Sequence, residues 1–430
     1  MKPSSMFAGL AATIMATQTV SATSAAEALA LAKKLYPECA LVCLQQLVPT
    51  SGCSLTDTAC LCTNEELNAG LSVCVLQGCS IEDAFKTKNG SATMCGAPVR
   101  DESLKPLLVA AVGFSLALIA YVLRLCSALP GCGRELSWDD WTITACVLLT
   151  VPPTVFAFTL SANGLGKDIW TLPLVNVENV LFYYFLGELF YFCAQAMNKV
   201  SILLFLARIF PHHNLNRVIW ATIFVTLAYA VSFFFATLFQ CWPINHAWLQ
   251  LEEQHQGQCN NIHLQGWLSA IFNIALDIVI LALPLRQLSK LQMPLNKKLM
   301  VMVVFSVGIF VTIASIIRLH TLVRFANSTN ITYDYMDAAY WSTIELYAGI
   351  ITASLPAVYK YLCSVAARSP GWSKVKSKLS GASSSSGTGV SASEHVTGSS
   401  AVAHRLGPKR SEAEFVLLTD VESGKGQAWK

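Results

Sequence analysis

The chain has 430 residues, 54% of them hydrophobic and only 13% charged, with a formal net charge of +3. Soluble globular proteins carry about 25% charged residues. Half that density excludes an ordinary water-soluble domain and puts a membrane protein first. The small net charge, with no run of Lys and Arg, excludes nucleic acid as a partner.

In chain order, Lys2 opens a short apolar run from Phe7 to Ala16 that ends at Val20-Ser21-Ala22. A basic start, a short apolar core and a small-x-small end describe a secretory signal peptide over residues 1–22, with Ala25 and Ala26 as other cleavage points. The competing reading is a first membrane helix, but the run is too short for about 30 Å of hydrocarbon. The segment after this leader is therefore expected in an oxidising compartment, where paired cysteines form disulfides.

Eight of the 15 cysteines crowd into that segment, residues 27–97: Cys39, Cys43, Cys53, Cys60, Cys62, Cys74, Cys79 and Cys95. An even set in so short a stretch reads as a disulfide framework for a domain too small to hold a large core. Zinc is the alternative for Cys60-x-Cys62, and the export signal argues against it. Eight cysteines allow about 105 connectivities, and spacing alone does not choose among them. Helical pieces are predicted at Ala26–Leu35, Cys39–Leu47, Asn64–Gly70 and Ile81–Lys86.

The string Pro37-Glu38-Cys39-Ala40-Leu41-Val42-Cys43, then Cys53-Ser54-Leu55-Thr56-Asp57-Thr58-Ala59-Cys60-Leu61-Cys62, then Cys74 and Cys79, resembles the fungal CFEM domain. The resemblance implies the pairs Cys39–Cys79, Cys43–Cys74, Cys53–Cys60 and Cys62–Cys95. It also implies ferric haem as a cofactor, because some members of the family ligate its iron through the aspartate between the third and fourth cysteines, here Asp57. A carboxylate is a hard oxygen donor that favours Fe(III) over Fe(II). The plainer role for Asp57 is the cap of a short helix starting at Thr58, and the two roles are compatible.

Seven membrane spans are predicted at 105–126, 139–162, 178–207, 217–240, 263–286, 298–320 and 337–362, each about the 20 residues a bilayer needs. With the signal peptide removed, the cysteine domain lies outside and the seventh span ends in the cytosol. Charge agrees: the inner connections carry Arg134, Arg208, Arg217, Arg286, Lys290, Lys297 and Lys298, the outer ones only Lys167 and Arg324. The glycosylation sequons at Asn89, Asn327 and Asn330 all fall outside.

Ionisable residues at membrane depth carry a cost that needs a reason. They are Glu188 and Lys199 in the third span, Asp277 (with Asn273) in the fifth and Glu345 in the seventh. Glu188 and Lys199 share a face but lie about 16 Å apart along the axis. Lys199 is expected to pair with Asp277 or Glu345 as a structural tie; the sharper alternative is a ligand site among the third, fifth and seventh spans. In the second outer loop Cys241 and Cys259 are expected to bond. Cys126, Cys146, Cys193 and Cys363 read as packed or free, with Cys363 also a palmitoylation candidate.

Residues 105–365 resemble the fungal rhodopsin-like integral membrane family, which includes satratoxin-cluster-type membrane proteins and Pth-type CFEM receptors. The resemblance rests on Asp139-Asp140-Trp141, Lys199 to Phe210, Cys241-Trp242-Pro243…Trp248…Cys259, Asp277…Leu283-Pro284 and Glu345…Leu355-Pro356. It implies a receptor-like surface protein. Leu206-Ala207-Arg208 stands where general G-protein-coupled receptors carry Asp-Arg-Tyr, so a heterotrimeric G protein is a partner suggested by topology alone.

Past the last span, Arg368, Lys374, Lys376 and Lys378 form a basic strip suited to anionic lipid, and Gly381 to Ser400 is Ser/Gly-rich. The expected fold class is all-α: a small disulfide-rich helical extracellular domain, a seven-helix transmembrane bundle over 104–363 and a disordered cytoplasmic tail over 364–430. No catalytic triad, Walker loop, zinc motif or dinucleotide fingerprint is present, so no enzyme is expected. Three readings stand: a receptor-like sensor of an extracellular ligand or host surface component, haem or iron acquisition at the cell surface, and a virulence factor suppressing host responses.

Overall fold

The computed structural model describes residues 30–368 other than 31, 55–56, 130–134, 211–212, 253–255, 289–294 and 325–327. The expected signal peptide, Arg134, Lys290, Asn327, the tail from 369 onward and the side chains of Arg286, Lys297, Lys298 and Cys363 lie outside the described residues.

Residues 32–35 are helical, within the expected Ala26–Leu35; extended Pro37 then precedes α1 (Glu38–Ser51), and Gly52 closes it at φ 74°, a conformation that any Cβ would oppose. The next three helices each begin on a side-chain cap that satisfies an orphan backbone N–H. Asp57 accepts from the Cys60 amide to start α2 (Thr58–Thr63), Asn64 from Leu67 to start α3 (Glu65–Gly78), and Ser80 from Asp83 to start α4 (Ile81–Met94). Both α3 and α4 run about two turns beyond the expected Asn64–Gly70 and Ile81–Lys86. In α3 the apolar spacing Leu67, Leu71, Val75 continues one face past Gly70. These residues bury against Tyr36, Leu44, Val48 and Leu61 in a core of their own.

Seven long helices follow among the described residues: α5 (Leu104–Cys126), α6 (Trp138–Ala162), α7 (Leu174–Ile209), α8 (His213–Leu238), α10 (Ile262–Leu288), α11 (Leu295–Arg324) and α12 (Ile331–Arg368). Each packs on the next, and α12 returns to α5 to close a ring; α7 also touches α10 and α12 and is largely buried. Their outward faces are apolar: Val112, Leu116, Phe224, Phe235, Ile278 and Ile313 are all about half exposed or more. An apolar surface on that scale has lipid as its natural solvent.

Six of the seven are long and apolar enough to cross a membrane. The exception is α12, which begins at Ile331 rather than at 337 and carries Asp334, Asp337 and Glu345. Helix α7 also starts earlier than expected, at Leu174 rather than 178. Between α8 and α10 a two-residue strand, β1 (Cys241–Trp242), pairs antiparallel with β2 (Gln258–Cys259), with the short helix α9 (His246–Leu249) between them. Cys241 and Cys259 face each other across this ladder and are bonded, with Cα atoms 4.0 Å apart.

Candidate functional site

Three sets of side chains could carry function: the cysteine domain with its joint to the bundle, a polar network at the bundle centre, and a buried clamp at the far end.

In the cysteine domain the structure joins Cys39 to Cys79, Cys43 to Cys74, Cys53 to Cys60 and Cys62 to Cys95. Asp57 is exposed; its Oδ1 accepts the Cys60 amide at 3.0 Å. Its other oxygen has no partner among the described residues. The cap and a metal-ligand role therefore use different oxygens of one carboxylate. Asn89 is exposed on α4.

The domain is seated on the bundle. Phe85 of α4 packs with Ile169, Trp170, Leu172, Val177 and Trp248 at the bundle mouth. Lys88 lies 5.6 Å above the Trp170 ring, and Arg100, in the linker, lies 4.2 Å above the Tyr333 ring, geometry suited to cation–π attraction. Arg100 also reaches Asp168 at 2.5 Å, with the Asp168 side chain only 4% exposed. Asp168 Oδ1 accepts a second bond from Asn330 Nδ2 at 2.8 Å, and Asn330 Oδ1 accepts from the Ile169 amide at 2.9 Å. The Gly166 amide donates to Thr332 O and its carbonyl accepts from Glu102, so the linker, the α6–α7 loop and the start of α12 are laced together. This arrangement corrects one expectation: Asn330 is 6% exposed with both ends of its amide engaged, which leaves no room for a glycan.

At the bundle centre α7 presents Tyr191, Gln195 and Lys199, one turn apart each. Glu345, fully buried on α12, accepts from Gln195, from Asn273 Nδ2 at 2.5 Å and from Tyr191 at 3.1 Å, with Arg318 of α11 3.7 Å away. Lys199 pairs with Asp277 of α10, whose second oxygen accepts from Ser315 at 3.2 Å. Arg318 donates to the Tyr191 hydroxyl and lies over its ring. Thus α7, α10, α11 and α12 share one network with two cations and two carboxylates. Glu188 is not in it: it has no hydrogen bond or ion pair among the described residues, and lies within electrostatic reach of Arg318 and Tyr335. Paired and hydrogen-bonded charges are the form in which ionised groups survive at such depth.

At the far end Arg124 is 1% exposed and spans Asp139 at 2.6 Å and Asp140 at 2.8 Å, while also donating to the Ala353 carbonyl of α12. Asp140 caps its own helix through Ser137, and Ser201 of α7 donates to the Asp139 carbonyl. The Asp139-Asp140 pair thereby ties α5, α6, α7 and α12 together.

Reading the sequence by its ionisable residues missed Arg318, Arg124, Gln195 and Asp168. Charge balance was the available signal for Arg318. Glu188, Asp277 and Glu345 give three acids at depth against Lys199 alone, and Arg318 lies inside the stretch Phe305–Arg324, apolar enough to cross a membrane.

The fungal rhodopsin domain family matches residues 123–364, a little over half of the chain, and the CFEM domain family matches 32–96. The chain belongs to the fungal rhodopsin domain family. It is a multi-pass membrane protein of that family fused to a CFEM domain. A SAT4 family membrane protein of Emericella nidulans is 33% identical over 169 residues, covering 38% of this chain and 41% of the relative. "Fugralins biosynthesis cluster protein 2" of Gibberella zeae is 24% identical over 200 residues, 45% and 49% of the two chains. A GPI-anchored hemophore of Arthroderma benhamiae is 35% identical over 86 residues, 19% of this chain and 46% of the relative. This chain thus spans less than half the length of each. No solved structure matches it.

Proposed function

We propose that this protein is a receptor-like sensor of the fungal cell surface, not an enzyme, in which the CFEM domain receives an extracellular cue and the seven-helix bundle transmits it. One observation carries the reading: the CFEM domain sits on the mouth of the bundle through Phe85 and Lys88, and its linker is fixed there by Arg100 on Asp168, which Asn330 also holds. Asp168 lies just before α7 and Asn330 just before α12, the two helices that hold Lys199 and Glu345. A change in the domain's seating has a short, hydrogen-bonded route to the central network. The domain's four disulfides and the scarcity of cations in the connections at that end support a position outside the cell, with the far end and the tail in the cytosol.

A second reading, haem or iron capture at the surface, is favoured by Asp57 and by the likeness to a hemophore. The donor fits: a carboxylate oxygen without a hydrogen-bond partner among the described residues, on a side chain held in place by its cap, suits ferric iron. Bound there, haem would supply a redox-dependent ligand, with Asp57 holding its iron. Hydrogen exchange on the full chain in nanodiscs, with and without hemin, separates the two readings. A sensor changes protection at 163–173 and 328–336 when hemin binds, and loses that response in Arg100→Ala. A haem absorption band with no change in the bundle describes a carrier.

A further inference from the structure

Between the central network and the far end lies a cavity with about 80 Å³ of space for the centre of a water-sized sphere, bounded by α7, α10, α11 and α12. Its walls are mostly apolar, among them Ile202, Leu206, Ile280 and Val311. Its head is formed by Gln195 and Asn198, which are 1% and 3% exposed. Both have an unpartnered carbonyl oxygen, Gln195 Oε1 and Asn198 Oδ1. The Gln195 nitrogen is committed to Glu345, which fixes which end of that amide is oxygen. Asn198 makes no side-chain hydrogen bond to any described residue. It lies against Gly349 of α12, where a Cβ would collide with its nitrogen, so only glycine admits the amide there.

Two buried acceptors one turn apart on the same helix, on residues that line a cavity, need donors, because buried polar groups in native proteins are almost always partnered. An amide with a free acceptor and a free donor is complemented by a group that is both, and a hydroxyl is the smallest such group. A cation is disfavoured because Lys199 lines the same cavity. A single water needs only about 10–15 Å³ of such space, so several non-hydrogen atoms fit. We propose that this cavity is a hydroxyl-binding site, in which Asn198 and Gln195 grip one or more O–H groups between α7 and α12. The hydroxyls come either from ordered waters or from the head of a small amphiphilic alcohol whose chain lies along the apolar wall. The occupant would bridge α7 to α12 at Gly349, so its presence reports the spacing of the two helices the joint touches.

X-ray hydroxyl-radical footprinting of the full chain in lipid nanodiscs tests this, reading Leu206 and Val311, together with native mass spectrometry of the same sample. Ordered water labels both side chains despite their burial, with slow uptake of oxygen-18 after the solvent is switched. A bound alcohol shows instead as a mass adduct. Asn198→Leu, nearly isosteric but without the amide, abolishes whichever signal is present. Should that variant fail to fold, Ile202→Phe narrows the cavity and leaves the amides in place, and it should remove the signal too. A native chain with neither labelling nor adduct, or variants that keep the full signal, would overturn the proposal.

Discussion

Replacing Lys199 with methionine isolates one buried ion pair of the bundle. In the native chain Lys199 is 3% exposed and Asp277 is 8% exposed, and the two are in contact. Removing the ammonium leaves the Asp277 carboxylate with the Ser315 hydroxyl at 3.2 Å as its remaining side-chain donor. Two magnitudes compete. An interhelical hydrogen bond between neutral groups in a membrane averages about 0.6 kcal/mol. Stranding one member of a buried ion pair costs about 3–5 kcal/mol. The charge term wins, so Lys199→Met should destabilise the purified full chain by about 3–5 kcal/mol. The double change Lys199→Met with Asp277→Leu removes both charges and should recover most of that loss, because an apolar pair of similar volume often replaces a buried ion pair at little cost. Unfolding in mixed micelles, followed by loss of helix signal, measures all three proteins. A Lys199→Met chain within about 1 kcal/mol of native would refute the buried-pair reading, as would a double change that costs as much as the two single changes added together.

Three further outcomes are expected. On the haem-capture reading, Asp57→Ala should remove haem binding from the full chain while costing only about 1 kcal/mol as a lost helix cap; Asp57→His should keep haem through reduction, since imidazole ligates both iron states, and unchanged binding in Asp57→Ala would leave the residue as a cap alone. Cys241→Ala and Cys259→Ala should lower surface expression equally, because the bond closes a loop with a sequence separation of 18, about 3 kcal/mol in the chain-entropy account; a double mutant much worse than either would show that the two act separately. Asp101 is held below its ordinary value of 3.8 by hydrogen bonds from the Ser103 hydroxyl and amide. A depressed carboxylate stabilises above its unfolded value and loses that contribution as pH falls through the folded one. Limited proteolysis in the linker 97–103 should therefore rise only below 3.8, and a rise in the histidine range, about pH 6.5, would contradict this.

The parts of the fold visible in the sequence were those set by local chemistry. Eight cysteines after an export-like leader marked a stapled domain, and runs of about 20 apolar residues marked the bundle. The helix caps at Asp57, Asn64 and Ser80 were there to be read, but their reach depended on packing, so α3 and α4 ran longer than expected. What stayed hidden was pairing between distant elements. Lys199 had two acids to choose from, and only the rotation of α10 brings Asp277 to it while Arg318 of α11 takes Glu345. Asn330 looked like a glycan acceptor because a sequon is a local pattern, whereas its burial comes from Asp168, 162 residues away. Arg124 sits near a helix end, where a cation normally snorkels to the interface, and nothing local says that Asp139 and Asp140 will enclose it.

A sensor of this kind requires a CFEM domain that is seated on the bundle instead of being tethered to it. Hydrogen exchange of the full chain in nanodiscs, native against Arg100→Ala, tests that most directly. If Arg100 holds the joint through Asp168 and the ring of Tyr333, exchange rises at 163–173 and 328–336 in the variant. The interior of the stapled domain, 38–94, should stay as protected as before. Equal exchange in both proteins at 163–173 and 328–336 would mean that Arg100 does not hold the joint, and the sensor reading built on it would be wrong.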